Sequence, residues 1–205
     1  LGIIQGQTTE TPTTFDPKGT ATREQTAAMM MRFYRVSQTD LSELHGFYAI
    51  SSYSQKDKIS SLTSMTTGWS RMEYGETGPW LNTTSTGNND WAVPAGSQEI
   101  VDLAKESQVS LLLGVYLDLS QTYEGNTQAS LILSEENREA AVQAIVDFLR
   151  ENPSYQGVTI DFEGFVSKSY KAPFTAFLTL LRQELNENGS YLLYCALPPM
   201  ENYQG

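Results

Sequence analysis

Two carboxylates stand one residue apart at the end of an apolar run, Gly157-Val-Thr-Ile-Asp-Phe-Glu-Gly164. Side chains alternate along an extended strand, so Thr159, Asp161 and Glu163 share one face while Val158, Ile160 and Phe162 share the other. Carboxylates at this spacing repel each other, and at the end of a buried strand they also lose hydration. Either effect raises the pKa of at least one of them and leaves a proton available near neutral pH. A positioned general acid needs such a proton. The same spacing also arises where a strand simply ends in water, so the surrounding elements must decide.

Those elements alternate. Gly46 to Ile50 reads as a short apolar strand, and Trp69 to Tyr74 as a second one interrupted by two charges. The Gly- and Asn-rich segment from Gly75 to Gly96 reads as a long loop. Ser97 can cap a helix carrying Ile100, Val101 and Leu103, and Val109 to Leu117 is a third strand. Ser134 can cap the next helix, with Glu135 and Glu136 at the positive end of its dipole. Val142, Ile145, Val146 and Leu149 give that helix one apolar face. The acid-bearing strand follows, then a helix carrying Phe174, Phe177, Leu178, Leu181 and Leu185 that stops near Gly189. Tyr191 to Leu197 is the last strand, closed by Pro198-Pro199.

Near-continuous apolar strands alternating with helices predict an α/β fold, a parallel sheet covered by helices. Five strands are five of the eight units of a (β/α)8 TIM-type barrel, which takes roughly 250 residues. In such a barrel the carboxyl ends of the strands form the active face, where Asp161 and Glu163 fall. Residues 44–205 are therefore expected to be the N-terminal part of a barrel. Leu1-Gly-Ile-Ile4 carries no leader pattern and reads as the interior of a longer chain. Residues 1–36 form a separate short unit, and 37–43 a polar linker. Within the short unit, Thr22 and Gln25 have capping-box spacing, and Ala27, Met30, Met31 and Tyr34 make one helical face.

The 205 residues carry 24 acids against 13 bases, a net charge of −11, which argues against nucleic acid or an anionic membrane as partner. No apolar stretch approaches the roughly 18 residues of a membrane span. The one cysteine, Cys195, lies in an apolar run and reads as a buried, inert thiol. His45 stands alone and reads as structural. There is no metal-ligand spacing, phosphate loop or nucleotide fingerprint, so no cofactor is expected.

The octet around Asp161 and Glu163 resembles the Asp-x-Glu end of the signature of family 18 glycoside hydrolases. It is closer still to the bacterial branch acting on spore-cortex peptidoglycan as an N-acetylglucosaminidase. His45-Gly-Phe-Tyr48, Gly68-Trp69, Leu133-Ser134 with Arg138, and Ala196-Leu-Pro-Pro199 resemble the corresponding strand and helix ends of that branch. The resemblance implies substrate-assisted catalysis on β-1,4-linked N-acetylglucosamine glycans, peptidoglycan or chitin. It assigns Glu163 to protonating the glycosidic oxygen and Asp161 to holding the 2-acetamido group. Two positions depart from the pattern, Gln156 at its first Asp and Thr159 at the middle Asp of chitinases. Gln156 lies outside the inward-facing set and is expected to act on how the strand begins. The family's acetamido-binding Tyr on strand six lies outside this sequence. In a barrel of this kind Phe47, Trp69 and Asp118 fall at strand ends, where each either meets sugar or serves packing or a solvated loop.

Leu1-Gly-Ile-Ile-Gln-Gly6, Phe15-Asp-Pro17 and Thr22-Arg-Glu-Gln25 resemble part of an S-layer homology repeat. That resemblance implies binding of secondary cell-wall polysaccharide, with Arg23 as the contact. The other reading leaves Thr22 a helix cap and Arg23 a solvated first-turn residue. Together the two resemblances predict a bacterial extracellular glycosidase held at the cell wall or S-layer. The rival class is a non-catalytic, lectin-like family 18 barrel, whose members typically lose the acid at the Glu163 position.

Overall fold

The computed structural model describes residues 20–37, 42–164 and 167–197. The chain divides into two compact units between Ser42 and Glu43. The first unit, as far as it is described, is the helix α1 (Arg23–Ser37). Its capping box forms as its sequence predicts: the Gln25 amide donates to Thr22 Oγ1 (3.2 Å) and the Thr22 amide to Gln25 Oε1 (2.8 Å). Two amides that the first turn would leave unpaired are thereby satisfied. Met30, Met31 and Tyr34 of the expected apolar face stand 67%, 53% and 58% exposed. The segments Leu1–Gly6 and Phe15–Pro17, part of the linker, and Pro198-Pro199 lie outside the described residues.

The second unit is built on a parallel sheet. Its strands are β1 (His45–Tyr48), β2 (Ser64–Gly75), β3 (Gly78–Asn82), β4 (Ser110–Asp118), β7 (Gly157–Glu163) and β8 (Leu192–Cys195), with a separate small hairpin β5 (Thr122–Tyr123) and β6 (Asn126–Thr127). The parallel order is β1-β2-β4-β7-β8, and β3 runs antiparallel beside β2. Helices α2 (Ser97–Glu106), α3 (Gln128–Ile132), α4 (Arg138–Glu151) and α5 (Lys171–Asn188) complete the unit. This is half of a (β/α)8-type barrel, with the five parallel strands expected.

Alternation sorts the two faces of the sheet. Leu111, Leu113, Val115 and Leu117 of β4 and Val158, Ile160 and Phe162 of β7 join Val142, Ile145, Val146 and Leu149 of α4 and Phe177, Leu181 and Leu185 of α5 in one buried core. The opposite face carries the intervening residues, among them Thr66, Tyr116, Thr159 and Asp161. One face therefore drives folding by burying apolar area, and the other is left for polar groups.

Several local expectations are corrected. β2 begins at Ser64 rather than Trp69, because Ser64 and Thr66 are buried through hydrogen bonds rather than apolar packing. The two charges that seemed to interrupt it, Arg71 and Glu73, lie two apart on one face and pair with each other (2.6 Å). The loop from Gly75 to Gly96 contains β3. The N-cap of α2 is Gly96, at φ +82°, not Ser97. Ser134 does not cap α4 directly, whose N-cap is Asn137; its hydroxyl accepts the Asn137 amide (3.2 Å) in the turn before the helix. A 3-10 segment, Ile50–Ser61, links β1 to β2, where the sequence shows no clear periodicity. β8 is shorter than the apolar run from Tyr191 to Leu197.

Gln156 acts on the start of its strand, as its position outside the inward set predicts. Its side-chain oxygen accepts the Leu111 amide (2.7 Å) and its own amide donates to the Leu111 carbonyl (2.8 Å), splicing β7 to β4.

Candidate active site

β7 delivers Asp161 and Glu163 to the inner face at the carboxyl end of the sheet. Asp161 is partly buried and Glu163 is exposed, while Phe162 between them points into the core. The strand ends there because Gly164 follows at φ +92°, a backbone that a side chain would strain. The Glu163 carbonyl accepts the Leu119 amide (3.0 Å), which ties this end to the loop after β4.

The pairing register fixes the neighbours: Tyr116 lies beside Asp161 and Asp118 beside Glu163, with Arg71 of β2 beside Tyr116. Burial raises the pKa of Asp161, and the charge of Glu163 raises it further. The effect anticipated for a carboxylate pair is thus present at Asp161. The Tyr116 phenol is also held above its usual range, first by burial and then by Glu163, Asp118 and Asp161, with Arg71 opposing. Three acids and a phenol therefore share one electrostatic neighbourhood. Asp118 is partly engaged locally, its Oδ1 accepting the Ser120 amide (2.8 Å) and hydroxyl (2.7 Å). Cys195 beside this group is half-buried, and its thiol is pushed up by burial and then by Asp161.

Deeper along the inner face runs a hydrogen-bonded chain. Thr159 Oγ1 meets Thr66 Oγ1 (2.6 Å), Thr66 Oγ1 meets His45 Nε2 (2.9 Å), and His45 Nδ1 meets Ser64 Oγ (2.7 Å). Glu43 accepts from Ser64 (3.3 Å) and from the Tyr194 hydroxyl. Burial lowers the His45 pKa against the opposing charge of Glu43, which fits the structural role expected of it. Thr159 thus takes a structural place in this layer. An open cavity of about 540 Å³ lies over it, bounded by His45, Phe47, Tyr194 and Cys195 among others.

The remaining expected contacts separate. Phe47 is 63% exposed on this inner face, edge-on to His45 at 5.1 Å. Trp69 is not: it is 1% exposed, belongs to the helix-facing core and packs edge-on to Tyr48 at 6.0 Å. Of the two readings open to it, sugar contact is corrected and packing is the one the structure gives. β2 is irregular between Thr67 and Ser70, which breaks simple alternation around Trp69. Arg23 is exposed in the first turn of α1, in the other unit. Sequence reasoning passed over Tyr116, Arg71 and Trp91. Tyr116 stands two residues before Asp118 and shares its face, a parity that could have found it. Trp91 lies in no periodic element, yet it stacks on Tyr116 at 4.2 Å and 15°. Among the described residues, no group of three or more His, Cys, Asp or Glu side chains is placed to hold a metal ion. Among them, too, no helix is long and apolar enough to cross a membrane.

No protein-family model and no curated protein matches the chain. Solved structures do. The glycoside hydrolase family 18 chitinase ChiB of Flavobacterium johnsoniae superposes with a TM-score of 0.57 at 19% identity, over 81% of this chain and 49% of that one. The spore cortex-lytic enzyme SleL of Bacillus megaterium does so with a TM-score of 0.56 at 18% identity, over 80% of this chain and 36% of that one. A chitinase of Chromobacterium violaceum reaches a TM-score of 0.60 at 14% identity, over 77% and 46%. This chain thus spans half or less of the length of each. At these identities the likeness is one of fold, and the half-barrel shares its fold with family 18 chitinases and a spore cortex-lytic enzyme.

Proposed function

We propose that this chain carries the catalytic half of a family 18 type glycosidase that cleaves β-1,4-linked N-acetylglucosamine glycans with retention. The observation that carries the reading is the Asp161–Glu163 pair, both on the inner face at the carboxyl end of β7, with Tyr116 and Asp118 beside them in the sheet. Glu163, the more accessible of the two, donates a proton to the glycosidic oxygen as the bond to the anomeric carbon breaks. The substrate's own acetamido oxygen attacks that carbon, closing an oxazolinium ring. Asp161 faces the acetamido group and stabilises its developing positive charge. Glu163, now ionised, takes a proton from the water that opens the ring. No protein nucleophile is required, so one close pair of carboxylates suffices.

The protein is proposed to work outside a bacterial cell, with α1 and Arg23 contributing to retention on anionic wall polysaccharide as part of an S-layer homology repeat. Arg23 stands exposed in the first turn of the helix that Thr22 caps, which supports this reading. Mass spectrometry of products from purified peptidoglycan and from chitin oligomers, using the complete protein, tests the enzymatic reading and names the substrate. Cleavage next to N-acetylglucosamine is expected. Binding of both glycans with neither cut would point to a lectin-like barrel instead.

A further inference from the structure

On the helix-facing side of the sheet, a cavity of about 230 Å³ is bounded by Tyr48, Tyr53, Trp69, Pro94, Ala95 and Ile100 among others. Its deep walls are fixed, since Tyr48, Trp69 and Ile100 are buried members of the core. The rings of Tyr48 and Trp69 meet edge-on at 85° and form a corner. Tyr53, on the 3-10 segment after β1, is about half exposed and stands where the cavity meets solvent. Small-molecule sites have this composition, aromatic and aliphatic walls with a few placed polar groups.

One polar group of this wall is unsatisfied. The Trp69 indole N–H is buried and, among the described residues, finds no acceptor. Buried donors nearly always have a partner, because an unpaired one loses its hydration without replacement. A buried water needs about two to four polar partners of its own, and the walls beside Trp69 are ring and aliphatic carbon. An apolar molecule carrying one acceptor suits the place better. The charges at the edge of the cavity are already matched. Glu99 accepts from Lys56 Nζ (2.5 Å) and from the Tyr53 hydroxyl (2.8 Å). At the start of α2 the Ser97 amide donates to the Pro94 carbonyl (3.2 Å) and the Glu99 amide to the Gly96 carbonyl (3.2 Å). With Lys56 paired and Glu99 in the first turn of α2, an anion gains little here and meets a like charge.

We propose that this cavity is a binding site for a small, uncharged, monocyclic aromatic molecule whose carbonyl oxygen accepts the Trp69 indole N–H. An apolar cavity of about 150 Å³ takes benzene, so this one admits a ring with a substituent. Flat rings pack well into a corner of two aromatic faces. The site lies on the opposite side of the sheet from Asp161 and does not depend on the glycosidase reading. Fluorine NMR of the complete protein tests it by titration with para-fluoroacetophenone, para-fluoroethylbenzene, which has the same outline without the oxygen, and para-fluorobenzoate. The ketone should bind about fivefold tighter than the hydrocarbon, the share of one neutral hydrogen bond, and the benzoate more weakly than the ketone. Tetra-N-acetylchitotetraose should not displace the ketone. Trp69→Phe keeps a ring and removes the N–H, so it should bring the ketone down to the affinity of the hydrocarbon. Ala95→Phe fills the cavity from an exposed position and should abolish binding of both. If Trp69→Phe shows no melting transition, the Ala95 variant and the comparison of probes in the unmodified protein decide. Equal affinity for ketone and hydrocarbon, displacement by the chitin oligomer, or unchanged ketone binding in either folded variant overturns the proposal.

Discussion

Glu163 supplies the proton in the proposed reaction, and glutamine keeps its shape while removing that proton. Glu163→Gln in the complete protein should lower hydrolysis of a soluble chitin oligomer by roughly 10²–10⁴-fold, the usual loss with a general acid; a rate within a few-fold of the unmodified protein would assign the proton elsewhere. Asp161→Asn should also be severely impaired, but its effect on stability should have the opposite sign. The folded state raises the Asp161 pKa, mainly by burial. That contribution favours folding fully below the unfolded carboxylate range and is lost as pH rises through the raised value. At neutral pH the ionised side chain therefore weakens the fold, and asparagine relieves it. Melting curves should show Asp161→Asn more heat-stable at about pH 7, with the gain gone near about pH 3. The pair was legible because strand alternation needs only the residues themselves. Trp91 was not, since its position depends on Gly68, Asn89 and Tyr116, which come together only when the sheet forms. The choice between cleft and core for Trp69 was not legible either, because sequence alternation does not say which face is inward, and β2 is irregular beside it.

At the scale of the elements, close approach of strands is the constraint that sequence periodicity hides. Gly157 opens β7, and a Cβ there would collide with the Leu192 carbonyl and lie 2.7 Å from the Leu192 Cβ, both on β8. Gly157→Ala should therefore destabilise the protein by roughly 1–3 kcal/mol, as overpacking does, measured by denaturant unfolding. A change near zero would mean that β7 and β8 part easily. The five parallel strands were readable from apolar runs separated by helical spacing. The start of β2 was not, because Ser64, Thr66 and Thr67 are polar residues whose burial is made possible by distant partners, including Thr159 on β7, Leu112 on β4 and Tyr155 before β7. β3 was hidden by the Gly and Asn content of its loop, although Asn82 is fully buried and donates to Glu73 (2.6 Å). The capping box of α1 was legible because its partners lie three residues apart.

At the scale of the molecule, the proposed attachment and the proposed hydrolysis fall in different units, divided between Ser42 and Glu43. Removing the chain through residue 36 should release the protein from purified cell walls and leave hydrolysis of a soluble oligomer intact; equal wall binding with and without it would remove the anchoring role. The acidic balance, a net charge of −11, suits an uncharged polymer better than a polyanion as the proposed substrate. In the proposed reaction one close carboxylate pair works with the substrate's own acetamido group, and the stereochemistry of the first product is the test of it. Proton NMR of product freshly released by the complete protein from a chitin oligomer should show the β anomer before mutarotation. An α anomer at early times would mean inversion by a water held between two distant carboxylates, contradicting the roles given to Asp161 and Glu163.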